Sequence, residues 1–174
     1  MKRLLLLVVL LLAVVAVPVA MAADMKVGYV DLQKALNLSA AGKAAKEKMK
    51  AKFKDYDADV QKKQEELKKL KEDLEKQAML LSAEARAAKE RDYQQKVKDY
   101  QRLTKDIQEE LQQTDADYTR KILEEIFKVV QHVGKQEGYT LILEKTESSI
   151  LYASEGIDMT DRVIQLFDKQ HVGK

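Results

Sequence analysis

The stretch FKDYDADVQKKQEELKKLKEDLEKQAMLL, residues 53–81, decides the fold. Phe53, Val60, Leu67, Leu74 and Leu81 recur every seven residues, and Met49, Tyr56, Lys63, Leu70 and Gln77 form a mixed companion series. That is the seam of a coiled coil, with polar interruptions on one of its two positions. Glu65 with Lys69, Lys68 with Glu72, and Glu72 with Lys76 stand four residues apart outside the seam and support the same helix. Phe53, Val60, Leu67 and Leu74 are therefore expected between two helices.

The pattern extends outward in both directions. No glycine lies between Gly42 and Gly134, and the sole proline is Pro18. Nothing there punctuates a helix, and Ala, Lys, Glu, Gln and Leu dominate. A first helix is expected from about Ser39 to Met79 and a second from about Ser82 to Glu137. In the second, Val97, Tyr100, Thr104, Ile107, Leu111, Thr114 and Tyr118 alternate by three and four. Ile122, Ile126, Val129 and Val133 then break the heptad, a local stutter that Leu123, Phe127 and Val130 widen into a broad apolar face. The end of the second helix is thus expected to enter a packed body. Ser82 as N-cap and Glu84 in the first turn make 79–84 the turn of an antiparallel hairpin. One continuous helix over 40–137 is the competing reading. An arm of about 40 residues projects about 60 Å.

The flanks differ. Lys26–Val30 reads as a strand, with Asp31 capping a short helix after it. Gly134 and Gly138 are expected to end the second arm. Tyr139–Leu143 and Ile150–Ala153 read as two strands of a hairpin, and Asp158 can cap a last helix carrying Val163, Ile164 and Phe167. The fold class is therefore α+β, mostly α, with a helical-hairpin arm (39–137) inserted into a small association body (23–38 and 138–174). So small a body holds too little core for such arms, and apolar strands with free edges invite pairing. An obligate homo-oligomer follows, joined through Val27, Tyr29, Leu141, Leu143, Ile150 and Tyr152.

Residues 1–22 read as a cleaved secretory signal. Lys2 and Arg3 precede the apolar run Leu4–Val17, and Ala20-Met21-Ala22 supplies the small residues of a cleavage site. The run is shorter than the ~20 residues of a spanning helix. The chain has no cysteine, which excludes both a disulfide framework and a lipid-modified cysteine. Without Lys2 and Arg3, the 31 basic residues fall to 29, against 29 acidic ones. That near-neutral balance, with no stacking aromatics, argues against nucleic acid as a partner.

The chemistry expected of an enzyme is missing. His132 and His171 are the only imidazoles, and both read as structural or solvated. Gly42-Lys43 lacks the other glycines of a phosphate loop. Asp55, Asp57, Asp59 and Glu66 follow calcium-loop positions, but Val60 stands where a turn glycine is required. No catalytic residue, cofactor or metal is therefore expected. Lys43, Lys46, Lys50 and Lys54 form a basic cluster, a candidate contact for anionic lipid, lipopolysaccharide or an acidic partner. Met79, Leu80 and Leu81 are the candidate client contacts at the tip, methionine being adaptable enough for promiscuous binding.

Lys26–Leu36, Glu137–Leu143, Ile150–Ala153 and Ile157–Val163 resemble the matching blocks of the Skp/OmpH periplasmic chaperones, in the same order around a charged helical hairpin. The resemblance implies a jellyfish-shaped homotrimer whose arms enclose a cavity for unfolded outer-membrane proteins. It further implies ATP-independent holding in the periplasm. Family members are often strongly basic, whereas this chain is near neutral once processed, so a strongly electrostatic grip is not expected. A structural coiled-coil envelope scaffold without client binding is the alternative.

Overall fold

The arm begins at a joint that only glycine tolerates. In a computed structural model, which describes residues 25–77 and 79–171, strand β1 (Val27–Val30) leads directly into helix α1 (Leu32–Leu38). Asp31 caps that helix by accepting from the Lys34 amide at 2.7 Å. Ser39 then breaks it with an extended backbone, ψ 153°. Its hydroxyl donates to the Leu36 carbonyl and accepts from the Gly42 amide, each at 3.2 Å. A Cβ at Gly42 would stand 1.7 Å from the Leu36 oxygen. Helix α2 (Ala40–Gln77) departs from this joint. The signal expected at 1–22 lies outside the described residues.

Helix α2 has 38 residues and α3 (Ala83–Gln136) has 54. The chain turns between them. The Leu80 and Leu81 amides donate to the Gln77 carbonyl at 2.9 and 3.2 Å, and Ser82 caps α3 by accepting from the Ala85 amide at 3.2 Å. The break at 79–82 rules out one continuous helix. The helices run antiparallel: Lys52 meets Glu110 near the base, and Lys89 meets Gln77 near the turn. Val60, Leu67, Leu70 and Leu74 face Tyr93, Val97, Tyr100 and Ile107 in a half-buried seam.

Phe53 departs from that seam. It is 60% exposed, while Met49, Lys52 and Tyr56 are the partly covered residues there. A helix of 3.6 residues per turn drifts about 20° per heptad against a strict seven-residue repeat. Over the three heptads from Leu74 to Phe53 that drift accumulates to about 60° and carries Phe53 to the edge of the contact line.

The stutter residues do enter the body. Ile122, Ile126, Val129 and Val133 are buried with Val30, Ala35, Met159, Val163 and Phe167 in one cluster. Gly134 lies within α3 and does not end it; a Cβ there would stand 3.2 Å from Ile142 Cδ1. The end comes at Gly138, whose φ of +71° reverses the chain. Strand β2 (Leu141–Glu144) then pairs with β1 in parallel, Val27 opposite Leu141 and Val30 opposite Glu144. Parallel pairing needs a long crossover, and here the whole arm is the crossover.

The expected hairpin from Tyr139 to Ala153 is absent, and Ile150–Ala153 is not a strand. Glu144 draws the chain into a turn: its carboxylate accepts from the Thr146 hydroxyl at 2.8 Å and the Glu147 amide at 2.5 Å. Ser149 follows with φ +51°. Leu151 and Tyr152 emerge 100% and 89% exposed. After a single 3-10 turn (Glu155–Ile157), Asp158 bridges to Tyr29 on the other side of β1. Helix α4 (Thr160–His171) closes the body, with Val163 and Phe167 buried.

Asp158 is the knot of that closure. It accepts from the Thr160 amide at 2.8 Å and hydroxyl at 2.5 Å, and Thr160 Oγ1 accepts from the Asp31 amide at 2.9 Å. Partial burial raises the Asp158 carboxyl, but hydrogen bonds from Thr160 and Tyr29 outweigh it and hold the pKa below the usual range. Stability from this group is thus full above the unfolded carboxylate range near ~4 and is lost as pH falls through the lower folded value. Asp158→Ala is expected to lower unfolding stability by about 1 kcal/mol at pH 7, a modest loss because the group is partly solvated. Urea titrations should show that difference shrinking as the pH is taken below ~4. Gly42→Ala should cost about 3 kcal/mol or more, since backbone must move to admit the methyl group; a lowered urea midpoint checks it.

Candidate functional surfaces

The arm presents its polar face almost everywhere. The ion pairs Lys63–Glu66, Lys71–Glu75, Arg86–Glu90 and Lys105–Glu109 lie along single helices. Exposed pairs of this kind contribute little to stability. Besides the Lys89–Gln77 bond near the turn, a polar group crosses the seam near the base. Lys52 Nζ meets Glu110 Oε1 at 2.7 Å and the Thr114 hydroxyl at 3.3 Å. The Tyr56 side chain lies beside the same carboxylate. Those bonds lower the Glu110 pKa and raise those of Lys52 and Tyr56. Polar residues at a seam fix the register of two helices at some cost in stability.

Two surfaces depart from the solvated pattern. The first is the far end of the arm. Met79 is 98% exposed and Leu80 85% exposed, while Leu81 is half-covered by the turn. The geometry separates the three residues that the sequence groups together. Phe53, on the outer side of the arm, is a further exposed apolar residue that the heptad reading assigned to the interior.

The second surface is on the body. Tyr29 is buried, Val27, Leu143 and Ile150 are partly covered, and Leu141 and Tyr152 are exposed. Leu151 joins them, a residue that strand alternation did not single out. On the neighbouring side a groove of about 340 Å³ is lined by Leu32, Leu36, Leu123 and Phe127, with Glu144 at its edge. A smaller hollow beside it adds Val130, Ile142 and Leu143. Apolar side chains therefore flank the outer edge of β2, the edge that does not pair with β1.

The remaining sequence candidates stay apart from both surfaces. Lys43, Lys46, Lys50 and Lys54 are exposed along the root of α2, whereas Lys52 turns inward to Glu110. Asp55, Asp57 and Asp59 lie on continuous exposed helix and form no turn. His132 is exposed on α3, and the His171 ring stacks on buried Phe167 at 4.3 Å. Among the described residues no group of three His, Cys, Asp or Glu could hold a metal ion. Among them, too, no helix is long and apolar enough to cross a membrane.

No curated protein matches the chain. A crystal structure from Caulobacter crescentus CB15, of an OmpH-like protein provisionally assigned as an outer membrane chaperone, superposes with a TM-score of 0.78. The identity is 20%, over 85% of this chain and 86% of that one, a likeness that establishes the fold. The family described as outer membrane protein (OmpH-like) matches residues 26–167, from the first strand into the last helix. With both flanks and the arm between them covered by that match, this chain belongs to the OmpH-like family.

Proposed function

We propose that the chain is an ATP-independent periplasmic holdase, which keeps unfolded outer-membrane β-barrel proteins from aggregating in a cavity between the arms of a homotrimer. The observation that carries this reading is the exposed apolar tip, Met79 and Leu80, held about 55 Å from the body by the 38 residues of α2. A tip that exists only to close a hairpin has no need of large apolar side chains in water. Unfolded barrel proteins carry apolar lipid-facing positions on alternate residues, and weak contacts from several arms add through effective concentration. Family membership and the chaperone assignment of the Caulobacter relative support the same reading.

In this reading residues 1–22 are the export signal, 39–137 the arm, and 23–38 with 138–174 the body that joins subunits. The exposed Leu141, Leu151 and Tyr152 and the open edge of β2 support assembly through the body. Lys43, Lys46, Lys50 and Lys54 offer a weak peripheral contact to anionic lipid or lipopolysaccharide. No catalysis, cofactor or nucleic acid enters the mechanism. Release of client needs no nucleotide, because no single contact is strong.

Dilution of a urea-denatured barrel protein into buffer, followed by light scattering, tests the holdase directly. The processed chain should suppress scattering, and a chain that leaves it unchanged is a scaffold. Met79→Ser with Leu80→Ser should weaken client binding about tenfold to a hundredfold, each lost apolar contact being worth roughly 1 kcal/mol, with the mass of the assembly unchanged. Leu141→Asp should instead dissociate the assembly first. Multi-angle light scattering would register that as a fall toward the monomer mass, with loss of holding as a consequence.

A further inference from the structure

The two helices of the arm are rooted differently. Helix α3 runs into the core, where Ile122, Ile126, Val129 and Val133 are buried. It cannot swing without unpacking the body. Helix α2 has no buried residue along its 38 positions. It starts afresh at Ser39 and touches the core cluster only through Ala41 and Ala45. The arm is thus a beam fixed in the core with a second helix packed along it, whose root is held to the body by few contacts.

One side chain ties that root to a distant part of the chain. Asp168, on the last turns of α4, accepts from the Ala40 amide at 2.9 Å across 128 residues of sequence. Ala40 is the first residue of α2, where amides have no partner within the helix. Ser39 already satisfies the Gly42 amide from the local side. The carboxylate also lies at the positive end of the helix dipole. Beside it, Phe167 is fully buried and anchors α4 to the core, so the acceptor is presented from a rigid support.

We propose that Asp168 is a latch that sets the position of α2 against the body. With the latch closed, the root of α2 stands where α4 holds it. With it open, the first turns of α2 loosen at the Ser39–Gly42 joint, while the seam with α3 and the Lys52–Glu110 pair hold the rest of the helix. The C-terminal helix thereby acts on the root of the arm as well as closing the body. The proposal depends on the joint and not on what the arms bind.

Amide hydrogen exchange on the processed full-length protein tests it. Asp168→Ala should speed exchange at residues 40–46 by about tenfold, the ratio expected for loss of one charge-assisted hydrogen bond. Exchange at Ile126, Val129 and Val163 should not change. Asp168→Asn keeps an acceptor oxygen and should restore most of the protection. The chain has no cysteine, so Lys48→Cys with Lys169→Cys can be spin-labelled uniquely. Diluted with unlabelled chain to suppress distances between subunits, this pair should give a broader distance distribution when Asp168→Ala is added. Unaltered exchange at 40–46, or acceleration spread equally over the core, would overturn the latch; so would an unaltered distance distribution.

Discussion

Parallel strands joined in sequence need a crossover, and here the pairing of Val27–Val30 with Leu141–Glu144 encloses the entire arm. The remaining architecture depends on this closure. It brings the first described residues beside the last ones, so that α1, the end of α3 and α4 can share one apolar cluster. It also requires the hairpin to leave and return at the same place, which makes α2 and α3 antiparallel. The strands are only four residues long, so ladder bonds alone are a weak fastening. The closure is reinforced by side chains: Asp158 with Thr160, Thr160 with the Asp31 amide, and Glu144 with the Leu32 amide at 3.3 Å.

The arm is held by different physics. Its seam residues are only half-covered, because two helices side by side cannot enclose what lies between them. Its ion pairs are mostly local and solvated, which favours solubility and helix formation more than rigidity. The Lys52–Glu110 pair near the base and the Lys89–Gln77 bond near the turn are the polar contacts that cross the seam. A long, weakly buried projection on a small, densely packed root is the geometry from which the proposed holding activity follows. The exposed apolar groups at the tip contrast with the charged surface along the rest of the arm.

Much of this was legible from residue spacing. The heptads around Val60, Leu67 and Leu74, the absence of glycine and proline, and the Ser82 cap placed both helices and the turn. The stutter at Ile122–Val133 announced the passage from arm to body. The spacing misassigned Phe53, because a repeat does not register the slow rotation of a real helix against its partner. It also turned Ile150–Ala153 into a strand. Apolar β-formers in a row state a preference, but a strand needs a neighbour. Within one chain the Glu144-centred turn carries this segment away from any.

Sequence by itself determined the local states: where helices run, where they are capped, and which faces are apolar. Those follow from spacing, backbone freedom and side-chain reach over a few residues. Tertiary structure alone decided the parallel sense of the sheet, the Asp158 bridge to Tyr29, and the tie from Asp168 to the Ala40 amide. Each joins groups more than a hundred residues apart. Such contacts depend on how the elements pack in space, and no periodicity along the chain encodes that.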